Sequence, residues 1–317
     1  MENAITKPEP SGRRTILPSA ITLAVIAAVF LIAPHVYSNR SLLLTMMAFV
    51  VLAQGLNLLY GFTGYLPFGY VGFFGAGAYS MSLLVLHTHL PVLVCVLLGG
   101  AGAVVIALIL GPLLRLSGAY FSIASLAASQ ILYNVVSNQD LAKITGGPYG
   151  LKIDQVYNPN ASYMTMLVIL LLATGLAAHF RFSRFGLSLR ATHQDPTSAE
   201  MAGINVVRGR LIVWLVSAGV AGLAGAAYAW NLSVFYPDAV FTLQISVFAI
   251  VFALFGGIGT VIGPVVGAVV LDALYNGVGI SAPQYFEFVY GALIVLLVLF
   301  LPNGVMSLLT RRGIRVL

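Results

Sequence analysis

Apolar residues in this chain do not alternate with polar ones as they would in half-buried strands. They run on for about 20 positions at a time, the length a helix needs to cross a bilayer, until Gly, Pro, Asn or charge breaks them. The pattern predicts an all-α, polytopic transmembrane protein of about ten spans, near 16–34, 41–60, 70–88, 91–114, 117–138, 162–180, 209–231, 242–257, 260–279 and 286–303. The eighth and ninth are short and Gly-interrupted, so eight or nine crossings remain open. The longest connections are 139–161 and 181–208.

Composition and charge sharpen this picture. The chain is 60% hydrophobic and 8% charged, against about a quarter charged for a soluble domain. That leaves too little polar surface for a water-facing fold, so the expectation is one transmembrane domain over 16–309 between tails at 1–15 and 310–317. The net charge of +6 does not argue for nucleic acid, because the basic residues sit at segment ends: Lys7, Arg13, Arg14, then Arg181, Arg184, Arg190, Arg208, Arg210, then Arg311, Arg312, Arg315. This is the positive-inside bias. It places both tails and the 181–208 loop in the cytoplasm and 139–161 outside. The run after Arg13-Arg14 is long enough to span and is read as the first helix rather than an export signal.

Three segments carry candidate mechanism. In the 181–208 loop, Asp195 is a good N-cap, Pro196 suits the first helical position, and Gly203 supplies a left-handed end. These predict a short helix from 196 to 202, isolated between two spans, with Thr197, Glu200 and Met201 exposed. Such a helix suits force transmission from a partner, and a solvated loop helix is the alternative. The second segment, GLNLLYGFTGYLPFGYVGFFGAGAY (55–79), holds too many glycines, with Pro67, for a straight helix. A break here would make Asn57, Thr63, Gly64, Tyr65, Phe68 and Tyr70 candidate pathway residues; close helix packing through small residues competes with it. In the third, Gly259, Gly263 and Gly267 recur every fourth residue and predict a smooth packing face.

Catalysis finds no support. There is no Gly-Lys-Ser/Thr after a Gly-rich stretch, so the chain is not expected to be an ATPase, and neither a Ser-His-Asp set nor paired carboxylates emerge. His87, His89, His179 and His193 are too scattered for a metal site, and Cys95 lies in an apolar run. Asp272 and Glu287 are the acids in or beside spans, and intramembrane acids suggest ion coupling. An ion-driven secondary transporter or channel working through Asp272 is therefore the rival reading, and a non-transporting membrane scaffold a weaker one.

Eight pieces in register bring in a resemblance: GLNLLYGFTG (55–64), FGYVGFFGAGAY (68–79), LSGAYFSIASLA (116–127), ITGGPYGL (144–151), FGLSLRATHQDPTSAEMAGINV (185–206), SAGVAGLAGAAYA (217–229), FGGIGTVIGPVVGA (255–268) and LFLPNGV (299–305). Over 42–309 the chain resembles the LivM-type permease of branched-chain amino-acid ABC importers, in a larger family that includes urea/amide and sugar permeases. The resemblance implies a bacterial inner-membrane subunit that works by alternating access. Its implied partners are a second homologous permease, two cytoplasmic ATPases and a periplasmic substrate-binding protein, with ATP and Mg in the ATPases and no cofactor in this chain. It also implies that residues 190–203 contact the ATPase, with Arg190, Asp195, Pro196, Ala199, Glu200 and Gly203 as coupling residues. Where the family usually reads Gly-Gln-Leu-Ser-Phe-Gly-His, this chain has Gly64-Tyr-Leu-Pro-Phe-Gly-Tyr70, which leaves urea, short amides and aromatic acids open beside branched-chain amino acids.

Overall fold

The computed structural model describes residues 13–37, 39–281, 291–292, 295 and 304–306. The helices in chain order are α1 (Arg13–Val36), α2 (Arg40–Thr63), α3 (Val71–His87), α4 (Val92–Ile109), α5 (Ala119–Val136), the one-turn α6 (Ala142–Thr145), α7 (Pro159–Phe182), α8 (Arg184–Gln194), α9 (Pro196–Met201), α10 (Val206–Leu232), the short α11 (Pro237–Phe241), α12 (Leu243–Gly256) and α13 (Gly263–Ser281). Six described stretches are long and apolar enough to cross a membrane: Arg40–Thr63, Val92–Ile109, Ala119–Val136, Pro159–Phe182, Val206–Leu232 and Pro237–Gly256. The apolar stretches Ala20–Val36 and Val71–His87 are shorter. The expected span at 286–303 and the tail at 310–317 fall almost wholly outside the described residues, as does Glu287. The expected fourth span, 91–114, ends sooner than its apolar run: Pro112 follows α4, and Gly111–Arg115 forms a 3-10 turn.

Helix α2 is the centre of the bundle. Of its apolar stretch 78% is buried inside the protein, against 28% for α5 at the periphery. It packs on α7, α10, α12 and α13, while α3, α4 and α10 form a second tight group. Backbones in that group approach too closely for side chains: a Cβ on Gly77 would run into the Gly222 carbonyl of α10. Small residues are what let membrane helices pack this way, because lipid offers no hydrophobic drive between them. Polar tips then lock helix to helix. Trp214 Nε1 donates to the Ala107 carbonyl of α4 at 2.8 Å, and the Tyr163 hydroxyl of α7 donates to the Phe30 carbonyl of α1 at 2.6 Å.

At one end of the bundle the 139–158 connection folds down as turns and strand β1 (Leu151–Lys152), which pairs antiparallel with β2 (Val234–Phe235), Leu151 opposite Phe235. This ties the connection to the end of α10. The opposite end carries α8 and α9. The short helix expected in 181–208 is present but not isolated: α8 fills most of the segment before it, capped by Ser183, whose Oγ accepts from the Gly186 amide at 3.0 Å. Gly186, Leu189 and Thr192 are its buried face, set against α2, α7 and α10.

Candidate functional site

Helix α9 is capped at both ends by local chemistry. Asp195 Oδ1 accepts from the Thr197 amide at 3.0 Å, its other oxygen accepts from the Ser198 hydroxyl, and Pro196 needs no hydrogen-bond partner at the first position. These contacts, the Ser198 hydroxyl first, hold the Asp195 carboxyl below the usual carboxylate range. At the far end Gly203 has φ +82°. Its amide donates to Glu200 O at 2.9 Å and the Ile204 amide to Ala199 O at 3.0 Å, the paired bonds of a Schellman ending. Ala199 alone of the helix is buried. Thr197, Ser198, Glu200 and Met201 face outward, and Met201 is 86% exposed.

The chain backbone breaks twice beside the elbow that α8 and α9 form. The first break, residues 64–70, separates α2 from α3. Its free backbone groups are met by hydroxyls. Ser122 of α5 donates to Leu66 O at 2.6 Å, Ser125 accepts from the Gly69 amide at 3.3 Å, and Ser246 of α12 accepts from the Val71 amide at 2.8 Å. The second break, residues 257–262, separates α12 from α13. Asn57 of α2 spans it, accepting from the Gly259 amide and donating to Thr260 O, both at 2.7 Å. Gln54, one turn back, donates to Val261 O at 2.6 Å. The Arg181 guanidinium at the end of α7 donates to the Gly259 carbonyl.

The elbow meets the first break directly and the second through Arg181. Arg190 of α8 donates to the Arg181 carbonyl at 3.2 Å, so α8 is tied to the arginine that holds the second break. The His193 ring at the end of α8 stands over Gly64, where a Cβ would lie 2.8 Å from it. Helix α9 follows directly on α8, which makes both of these contacts.

Other residues singled out in the sequence sit as follows. Thr63 is buried and donates to Leu59 O at 2.6 Å. The buried Tyr70 reaches α10, its hydroxyl 2.9 Å from both the carbonyl and the hydroxyl of Ser217. Tyr65 is 8% exposed and Phe68 41% exposed. Of the predicted glycine face, Gly259 lies in the second break with φ +78°, Gly263 opens α13, and Gly267 packs against Phe252 and Gly256 of α12; the single stripe is split, since four-residue spacing counts only while the helix continues. Asp272 is 2% exposed. Asn276 donates to its carboxylate at 3.1 Å, and both line a cavity of about 290 Å³ with Tyr37, Leu42 and Met46.

One surface escaped the sequence reading. The outward face of α5 carries Tyr120, Ile123, Gln130, Ile131 and Asn134. Two amides one turn apart on a span's exposed face cost free energy in hydrocarbon, so this face suits protein or water better than lipid. The i, i+4 amide pair was visible in the sequence, but nothing there said which face of the helix would be free.

Fold and site together define a multi-pass helical membrane protein with two interrupted helices and an exposed, doubly capped helix beside them. A family model described as branched-chain amino acid transport system / permease component matches residues 38–298, and the chain belongs to that family. Among curated relatives, it is 27% identical to the high-affinity branched-chain amino acid transport system permease protein LivM of Salmonella typhimurium, covering 94% of this chain and 79% of the relative. Against LivM of Escherichia coli identity is 26% over the same shares. Against the probable branched-chain amino acid transport permease protein LivH of Methanocaldococcus jannaschii it is 28%, over 79% of this chain and 84% of the relative. No solved structure matches.

Proposed function

We propose that this chain is the membrane-spanning permease subunit of an ATP-driven importer, moving branched-chain or related amino acids inward by alternating access. In this reading the chain crosses the bacterial inner membrane about ten times, with both tails and the α8–α9 elbow in the cytoplasm. A second homologous permease completes the pathway, two ATPases bind the elbows and supply ATP and Mg chemistry, and a periplasmic binding protein delivers substrate. The observation that carries the reading is the linkage of α9 through α8 to both helix breaks. A partner that moves α9 moves Arg181 and His193, and with them the supports of Gly259 and Gly64. Because substrate must leave as well as enter, affinity belongs mainly to the binding protein.

The amides on the free face of α5 support a neighbour there, and the second permease is the proposed one. The test is to replace the exposed Glu200 and Met201 by Ala together. The expected result is loss of ATPase co-purification and of uptake with an unchanged melting temperature. Uptake and ATPase binding at wild-type levels would sink the docking assignment.

Asp272 keeps a second reading alive, since a buried carboxylate lines a cavity. An ion-coupled transporter predicts uptake that survives ATP depletion while a proton gradient persists, and that D272N abolishes.

A further inference from the structure

On the flank of the bundle where α4 ends and α10 begins, a groove of about 550 Å³ runs between the 3-10 turn and α10. Its walls include Leu108, Leu114, Val207 and Leu211, and its two charged lining residues are Arg115 and Arg210. Among the described residues, no acidic side chain lines it. Arg115 is exposed. Arg210 is part-buried, its guanidinium carbon 5.0 Å from the centre of the Tyr65 ring, and among the described residues its buried Nε has no hydrogen-bond partner. The apolar wall continues onto α4, where Leu108 and Ile109 are 57% and 67% exposed. An isolated anion site would not be framed by leucines, and a purely lipid-facing furrow would not hold two arginines.

We infer that this groove holds the headgroup of an anionic glycerophospholipid, its phosphate between Arg115 and Arg210 and its acyl chains along Leu108 and Ile109. Basic pockets beside spanning helices recognise such headgroups by charge, while the tails follow the apolar surface. The occupant would also bear on the first helix break. Arg210 stacks on Tyr65, and the Tyr65 hydroxyl donates to Leu114 O, in the groove wall, at 3.3 Å. A phosphate bonded to the edge of the Arg210 guanidinium would fix the position of the group whose face lies over Tyr65, beside residues 64–70.

The test uses the full chain in nanodiscs containing phosphatidylglycerol and phosphatidylcholine, with retained lipid counted by native mass spectrometry. Wild type is expected to retain phosphatidylglycerol selectively. R115Q, on an exposed turn where folding is not at stake, is expected to weaken that retention about fivefold, as removing one surface cation should. R210Q is expected to weaken it at least as much, and R115K to restore most of it. Equal retention by wild type and R115Q, or equal retention of phosphatidylcholine, would overturn the proposal. Displacement of the lipid by millimolar inorganic phosphate would overturn it too, assigning the groove to a soluble anion; persistence of the lipid against phosphate supports it.

Discussion

The two helix breaks solve one problem in different ways. Each leaves backbone N–H and C=O groups without helical partners in a protein whose surroundings are largely apolar, where every such group must find a donor or acceptor inside. The break at 64–70 is held by three separate hydroxyls, Ser122, Ser125 and Ser246, each making one bond to it. The break at 257–262 is held chiefly by one amide, Asn57, which bonds both sides of the turn, with Gln54 and Arg181 beside it. The supports also cross over. Helix α2, which leads into the first break, supplies Asn57 to the second, while α12, which leads into the second, supplies Ser246 to the first. Two interrupted pairs thus brace each other. One support is concentrated and the other distributed, so they should fail differently.

The largest effect is expected at the concentrated support. N57A strips the Gly259 amide and the Thr260 carbonyl of their shared partner inside the protein, at a cost of about 3 kcal/mol for two orphaned groups. The expected outcome is a clear fall in the detergent melting temperature together with loss of uptake. A variant that melts and transports like wild type would show that Gln54 and Arg181 hold the second break without Asn57.

At the distributed support the losses should be smaller and should add. S122A and S246A remove one bond each, at about 1 kcal/mol apiece, and they touch different backbone groups on opposite sides of the break. The double variant is expected to lose about the sum of the two single costs. A double loss well above that sum, measured by thermal melts of all four proteins, would mean that the first break is as cooperative as the second and would erase the distinction.

This contrast also explains what was legible in the sequence. The first break announced itself through local density of glycine around Pro67. The second was read as a packing face, because its decisive partners are remote: Asn57 lies 202 residues before Gly259 and Gln54 207 before Val261. Pro264, straight after Gly263, was the one local signal that a new helix begins there. Helix α9 was legible for the opposite reason, since Asp195, Pro196 and Gly203 write both caps within nine positions. Helix α8 was not, because its buried face of Gly186, Leu189 and Thr192 has no apolar stripe and is defined by what α2, α7 and α10 present to it. The long helices needed only their apolar runs, which fix type and approximate ends but not which faces meet protein.

The next effect lies at the end of α9. Gly203 has φ +82°, and a Cβ there would meet nothing within 4 Å, so G203A tests backbone strain alone, at about 1 kcal/mol. Because α9 lies outside the braced bundle, the melting temperature should move little, while, on the proposed function, uptake falls as the Glu200–Met201 turn frays. If melting falls as far as in N57A, α9 is part of the core support and the elbow is not an independent lever.

The smallest effect is at the other cap and is set by pH. The Ser198 hydroxyl and the Thr197 amide hold the Asp195 carboxyl below its ordinary value of 3.8, so the folded form binds its proton less readily than the unfolded one. The cap's contribution is therefore fully present above that ordinary value and is lost as pH falls through the lower folded value. Slow hydrogen exchange of the Thr197 amide should persist from pH 8 to pH 5, after correction for the intrinsic rate, and D195A should abolish it across that whole range. D195N keeps an acceptor oxygen and should retain most of the protection, because Asn caps helices about as well as Asp. Protection that disappears between pH 8 and pH 5, where the Asp195 carboxylate stays ionised, would show that this carboxylate is not what holds the cap.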